Sequence, residues 1–422
     1  MDMARCPLHF DPLSPEQLRD PYPIYTRLRE EQPAFWSEPH ALWIVTRYDD
    51  VLTVLKDHET FSSENAVRSS LEPFAPEVME VLATGHPLSP TLTDADEPLH
   101  RRLRTLVNRA FTNERVKALE PAIRRSSEGL IDAFAADGEA DLIEQFAWSL
   151  PLEAICQILD VPRADTPRLH EWSYHWLKLL QATDPVEQQV VYASSVVKMQ
   201  RYFLELLEQR TAHPGDDLVS ALLTASADDE QPLSMVEAMR IPMNLVIAGH
   251  VTVTRAIGNG IQLLLESPDQ LRRMLDDEEL VAPVVEEVLR MESPAQGLFR
   301  TVRKDVELGG VTIAAGQRVM VHYGAANRDP AQFPEPDTFQ ADRPGVIRHV
   351  AFGKGIHVCL GAPLARLELR IALPLLFRRL PGLQLADPSA AIRDDVFFAR
   401  GFSRLPVAWD AAAIPPRASP AR

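Results

Sequence analysis

Phe352-Gly353-Lys354-Gly355-Ile356-His357-Val358-Cys359-Leu360-Gly361 decides how this chain is read. One short loop carries three glycines, a lysine, a histidine and a cysteine. The glycines allow tight, partly left-handed backbone and the close approach of a flat ligand. Cys359 ends the loop, just before a long helical pattern that opens Leu360-Gly361-Ala362-Pro363-Leu364. A thiolate at that point would face loop amides and the positive end of a helix, both of which favour the anion. A zinc site fits poorly: His349 and His357 are near, but no second cysteine or paired ligand spacing accompanies them.

The loop resembles the cysteine-ligand loop of the cytochrome P450 family, the haem-thiolate monooxygenases. That family's pattern, Phe-Gly-x-Gly-x-His/Arg-x-Cys-x-Gly, is met at Phe352, Gly353, Gly355, His357, Cys359 and Gly361. The resemblance implies haem b, with Cys359 as the iron ligand whose electron density favours O–O cleavage. It also implies that Phe352 shields the sulfur, and that Gly353 and His357 contact the cofactor. The expected fold is mainly α with a minor β region, a single haem-enclosing domain over residues 1–410.

Length alone, 422 residues, would suggest two or three domains, and it suffices for one core around a large cofactor. Cys6, Cys156 and Cys359 are too scattered for a disulfide framework, so a reducing, cytoplasmic compartment is expected. Met1 to Asp20 has no apolar run of the signal-peptide kind, and no stretch is long enough for a membrane span. A net charge of −17 argues against a nucleic-acid partner. Against that acidic background His100-Arg101-Arg102-Leu103-Arg104, Arg366 to Arg370 and Arg378-Arg379 stand out, either as solvated helix faces or as sites for haem propionates and an acidic redox partner.

Along the chain, residues 7–23 read as an extended arm, Trp43-Ile44-Val45-Thr46 as a strand, and Tyr48 onward as a helix. Asn65 to Thr93 has no sustained period and is expected to be a long irregular segment, which in the family roofs the substrate pocket. A helix follows Asp94 to Pro98, and on it His100 and Arg104 share a face. The resemblance makes that pair, with Arg300 and His357, the holders of the haem propionates. Residues 115–225 are helical in pattern, with the aromatic cluster Trp172, Tyr174, His175 and Trp176 open to two readings, core or substrate contact. Ser234-Met235-Val236-Glu237 is a capping box that opens a helix reaching about Leu265, with Pro242 as an expected kink.

Within that helix, Ala248-Gly249-His250-Val251-Thr252 resembles the family's oxygen-binding groove, usually Ala/Gly-Gly-x-Asp/Glu-Thr. The resemblance assigns Ala248 and Gly249 to room for oxygen and Thr252 to a hydroxyl that orients oxygen and protons. Val251 departs from the pattern, since valine cannot relay a proton; water, His250 or another group must supply it. Glu287-Val288-Leu289-Arg290 with Arg343 resembles the family's buried salt-bridge network. Asp305 to Tyr323 reads as a small antiparallel meander. The tail 411–422, rich in Pro, Ala and Arg, reads as a linker, so that the chain is expected to suit a fusion to a flavin and iron–sulfur reductase.

The function implied is insertion of one atom of dioxygen into a small apolar organic substrate, by hydroxylation or O-dealkylation. Electrons would come from a ferredoxin or flavin reductase, separate or fused, because no nicotinamide fingerprint or iron–sulfur cysteine spacing is present. Arg101 and Arg102 are the expected docking face. A peroxide-driven peroxygenase, which Val251 favours, and a non-catalytic haem sensor stand as alternatives.

Overall fold

The computed structural model describes residues 10–68, 71–88, 90–227 and 231–414. Its organising element is the helix that the capping box opens. Reciprocal hydrogen bonds between Ser234 and Glu237 fix the N-terminus, and the helix runs unbroken from Met235 to Glu266, through Pro242. Most of its length is apolar and buried, which requires neighbours on all sides.

Those neighbours are helices, and in chain order the set that frames the site is α1 (Tyr48–Lys56), α2 (Leu99–Ala110), α3 (Ser149–Leu159), α4 (Thr166–Gln181), α5 (Val186–Ala212), α6 (Met235–Glu266), α7 (Val281–Met291) and α8 (Ala362–Arg379). The central α6 packs on α3, α4, α5, α7 and α8. Gly260 of α6 lets Leu373 of α8 and Val288 of α7 close in; a Cβ there would meet their methyl groups at 3.1–3.2 Å. The mainly α expectation with a minor β region therefore holds.

The β region is a five-stranded sheet, β1 (Ala34–Ser37), β2 (Leu42–Val45), β3 (Phe61–Ser62), β4 (Gly297–Val302) and β5 (Arg318–His322), ordered β1-β2-β5-β4-β3. The β2–β5 pair is parallel, with Trp43 opposite Val319, while β4 and β5 are antiparallel. Every residue of β5 is buried, as for a strand covered on both faces. The meander expectation is corrected here: only Val306–Leu308 and Val311–Ile313 form a hairpin, and residues 318–322 leave it to join the chain's N-terminal strands.

Two further expectations change. The arm at the start contains a turn of helix, Pro15–Arg19, capped by Ser14, before the helix Tyr22–Glu31. The irregular roof segment contains the helix Pro76–Leu82, whose buried Val78 joins the core. Both helices start at a proline, which is suited to the first helical position although it reads as a breaker. At the other end Ala411–Ala413 is a single 3₁₀ turn, and Ala411 and Ile414 pack on the core. Residues 415–422 of the tail lie outside the described residues.

Candidate functional site

The cysteine loop holds its shape through two left-handed glycines, Gly353 at φ +66° and Gly355 at φ +74°. At Gly355 a Cβ would also come within 2.3 Å of the Leu55 carbonyl oxygen on α1. No other residue satisfies both constraints. The amide of Cys359 donates to the Phe352 carbonyl at 2.9 Å, closing the loop. The sulfur takes hydrogen bonds from the amides of Gly361 and Ala362, at the start of α8.

Burial pushes the Cys359 thiol up, while those two amides and the charges of Arg104 and Arg366 pull it down; burial wins. The expected thiolate is thus prepared, but not produced, by the loop and helix alone. Cys359 is nevertheless exposed. A sulfur that is both exposed and dominated by desolvation lines an internal space, not the outer surface. Phe352 lies under the Arg366 guanidinium, 4.5 Å from its ring centroid. Arg366 in turn grips Glu286 at 2.6 and 2.8 Å, and Glu286 meets His349 Nε2 at 3.0 Å. This chain from α7 to Phe352 was invisible to motif reading, which took Arg366 only as part of a basic cluster.

Four cationic or imidazole side chains gather beside the loop. His100 and His357 have ring centroids 4.1 Å apart. His357 donates from Nδ1 to the Leu92 carbonyl at 3.2 Å, and its Nε2 is buried with no hydrogen-bond partner among the described residues. Both ring nitrogens of buried His100 also lack a hydrogen bond, although Glu97 lies 3.6 Å from Nδ1. Arg104 donates to the Val358 carbonyl at 2.9 Å. Arg300 is 4% exposed and donates only to its neighbour's carbonyl, that of Phe299, at 2.7 Å. Burial, followed by the nearby charges of His100 and Arg300, holds the His357 imidazole down at about 3. Among the described residues this cluster has donors in excess and too little acid to match them.

On α6, Ala248 is exposed although its helix lies in the middle of the molecule, and Asn244, Leu245 and Thr252 beside it are only half-buried. Positions 244, 248 and 252 repeat every four residues and form one stripe. Thr252 donates its hydroxyl to the Ala248 carbonyl at 2.7 Å. Gly249 has a different reason from the expected one. Its missing side chain points at α3, where a Cβ would come within 2.7 Å of Ile155 Cδ1, so the glycine serves helix packing. His250 turns away from the stripe. Its Nε2–H donates to the Trp148 carbonyl at 3.0 Å and its Nδ1 faces Ser173 Oγ at 3.0 Å. Burial, with the His170 charge, lowers it to about 3, so the ring is neutral and its one N–H is held by the Trp148 carbonyl. Val251 joins an apolar cluster with Leu177, Phe397 and Phe398. Neither residue before Thr252 is a proton source.

The expected buried network is present: Arg290 and Arg343 both bond Glu287, at 2.7–2.8 Å. The docking face is less free than expected, since Arg101 pairs with Glu97 at 2.9 Å and Arg102 pairs with Glu237. Trp172 and Trp176 are core residues, while Tyr174 is 42% exposed. Phe299 is fully buried against Phe397 and Phe398.

The Cytochrome P450 family model matches residues 21–381. This chain belongs to the cytochrome P450 family. It is 38% identical over 392 residues to the mycinamicin IV hydroxylase/epoxidase of Micromonospora griseorubida, covering 91% of this chain and 94% of that one. A solved cytochrome P450, CreJ in complex with (4-ethylphenyl) dihydrogen phosphate, is similar with a TM-score of 0.88 and 31% identity over 93% of this P450 and 98% of that chain. An intact type IV self-sufficient cytochrome P450 monooxygenase matches with a TM-score of 0.92 and 29% identity, over 99% of this chain and 56% of that one. The protein is therefore an oxidoreductase of the monooxygenase kind, and its cofactor is haem b. The residues present suit that group: an exposed sulfur on an internal space and, beside it, buried donors with too few carboxylates among the described residues to match them. No helix among the described residues is long and apolar enough to cross a membrane.

Proposed function

We propose that this P450 oxidises a largely apolar organic substrate by hydroxylation or O-dealkylation, in a reducing, cytoplasmic compartment, with electrons from a ferredoxin or flavin reductase, separate or fused. The observation that carries the site assignment is the shortage of acid around His100, Arg104, Arg300 and His357. Two propionates are the carboxylates that this cluster lacks, and Cys359 is the iron ligand beside it. When bound, haem supplies dioxygen activation: one oxygen atom enters the substrate, and the other leaves as water with two electrons and two protons.

The remaining roles follow from the chain's own groups. The Gly361 and Ala362 amides and the Arg104 and Arg366 charges stabilise negative charge on Cys359 Sγ once its proton leaves. Phe352 covers that sulfur from the Arg366 side. Gly353 gives the loop the left-handed turn that carries it past the cofactor edge. Ala248 leaves space on α6, and Gly249 lets α6 lie close to α3. Thr252 spends its only proton on the Ala248 carbonyl, so toward the internal space its oxygen is an acceptor. It accepts a proton donor such as water, and gives a proton of its own only if the bond to Ala248 opens.

A second reading is favoured by Val251 and by the turn of His250 away from the stripe: a peroxygenase, in which peroxide brings both oxygen and protons. The reduced protein with carbon monoxide tests the ligation. A strongly red-shifted Soret band supports Cys359 as ligand, and a histidine- or water-type band in folded protein overturns the assignment. Turnover with peroxide and no reductase, exceeding that with a reductase pair, would transfer the assignment to the peroxygenase.

A further inference from the structure

Arg240, on the second turn of α6, is the buried cation that nothing described so far employs. It is 5% exposed. Its Nε and Nη1 are buried with no hydrogen-bond partner among the described residues. Among the described residues Arg29 and Arg300 also have no carboxylate at ion-pair distance, yet each donates to a main-chain carbonyl. Arg290, Arg343 and Arg400 each bind a buried glutamate. Arg240 has only the face of Trp176 on α4, 4.8 Å from its guanidinium carbon. Asp94 is the acid whose charge it feels, but Asp94 Oδ1 already receives the Thr91 amide at 2.7 Å and hydroxyl at 3.1 Å.

A ring face offsets only part of the desolvation of a buried charge. An unpaired buried cation persists where a ligand completes it. The position says which ligand. Arg240 precedes Thr252 by twelve residues on the same helix, with Asn244 and Ala248 between them, so it lies about three turns, ~18 Å, from Thr252 along the axis. It sits where α4 crosses α6, far from the cluster beside Cys359 along the helix.

We propose that Arg240 anchors the substrate through an oxyanion, a carboxylate or a phosphate monoester, at one end of an otherwise apolar molecule whose far end reaches Thr252. This rests on the monooxygenase reading for the position of the reactive end. The planar guanidinium offers parallel N–H donors, the match for such a head group. Asn244, one turn nearer Thr252, adds an amide whose Nδ2 now donates to Thr91 Oγ1.

Calorimetric titration of the haem-loaded protein with dodecanoate, dodecyl phosphate and dodecanol tests the proposal, in wild type, Arg240→Gln and Arg240→Lys. Wild type should bind at least one of the two anions tenfold or more tighter than the alcohol, and which anion is preferred identifies the head group. Arg240→Gln should lose that preference with alcohol affinity unchanged, and Arg240→Lys should keep part of it. Equal affinities in wild type, or a preference that survives Arg240→Gln, overturn the anchor. Thermal unfolding of the ligand-free Gln variant gives an independent readout. A midpoint at or above wild type supports an unmet charge; a midpoint several degrees lower with the preference intact makes Arg240 structural and overturns the proposal. The carbon monoxide spectrum of the same samples separates the two readings: a missing thiolate band removes the monooxygenase assignment, while the calorimetry still decides the anchor.

Discussion

Two buried basic regions lie within reach of the cysteine loop, and they are built to opposite specifications. Around Glu287 the accounts are closed. Arg290 spends Nε and Nη2 on the carboxylate and Nη1 on the carbonyls of Asn327 and Pro336. Arg343 bonds the same carboxylate and the carbonyls of Pro334, Glu335 and Thr338. Around Cys359, among the described residues, neither ring nitrogen of His100 has a hydrogen bond and the Arg300 side chain has one. Burying a charge costs several kcal/mol unless partners return it. The first region is thus complete as protein alone, and the second is complete only with a partner of opposite charge. A fold tolerates such a deficit where a ligand pays it.

The sharpest break in that comparison is Cys359→Ser, which should abolish the red-shifted carbon monoxide band altogether while the folded circular dichroism spectrum persists. Next, Glu287→Gln leaves two guanidiniums buried without their carboxylate. It should cost about 3–5 kcal/mol in urea unfolding, with or without haem. Arg300→Met should behave in the reverse sense. Haem-free, it should be as stable as wild type or more so; loaded, it should hold haem less tightly by about 1.5–3 kcal/mol, the scale of a charged hydrogen bond. Competition for haem by apomyoglobin measures that loss, and an equal loss of stability in both forms would erase the contrast between the regions. Gly249→Ala tests packing at the groove. With Ile155 forced to turn, a cost of about 1–3 kcal/mol is expected in thermal unfolding.

The last effect is set by pH. Burial alone would raise Glu292, but the charges of Arg400, Arg393 and Arg328 hold it down to about 2. Its folded value lies below the ordinary carboxylate value of 4.5. Its contribution is therefore present above about pH 4.5 and is lost as pH falls toward 2. Glu292→Gln should flatten the acid limb of the stability curve in that window and leave its shape near neutrality unchanged.

What the sequence made legible was local. The Phe352–Gly361 loop, the His100–Arg104 pair, Glu287 with Arg290, and the Ser234–Glu237 box each sit within ten residues, so their geometry follows from turn or helix spacing. What escaped was decided at a distance. Residues 318–322 look like a continuation of the hairpin before them, but they pair with 43–45 on one side and 297–301 on the other. Gly249 looks like a residue for oxygen, but Ile155 on another helix explains it. Arg240 carried no signal at all, because nothing in Met239-Arg240-Ile241 tells that water is excluded there. Helix Pro76–Leu82 hid behind its own proline.

The parallel pairing of β2 with β5 has a consequence for how the molecule is made. Trp43, Ile44 and Val45 find their partners Val319, Met320 and Val321 only after the long stretch between them has been synthesised. Until then the first strands wait as an unpaired apolar edge, while the helices of local contact order are already free to form. The strands at 34–45, made well before residue 318, are thus among the last to be seated. Interrupting synthesis before residue 318 should leave it open to protease, and completing β5 should close it.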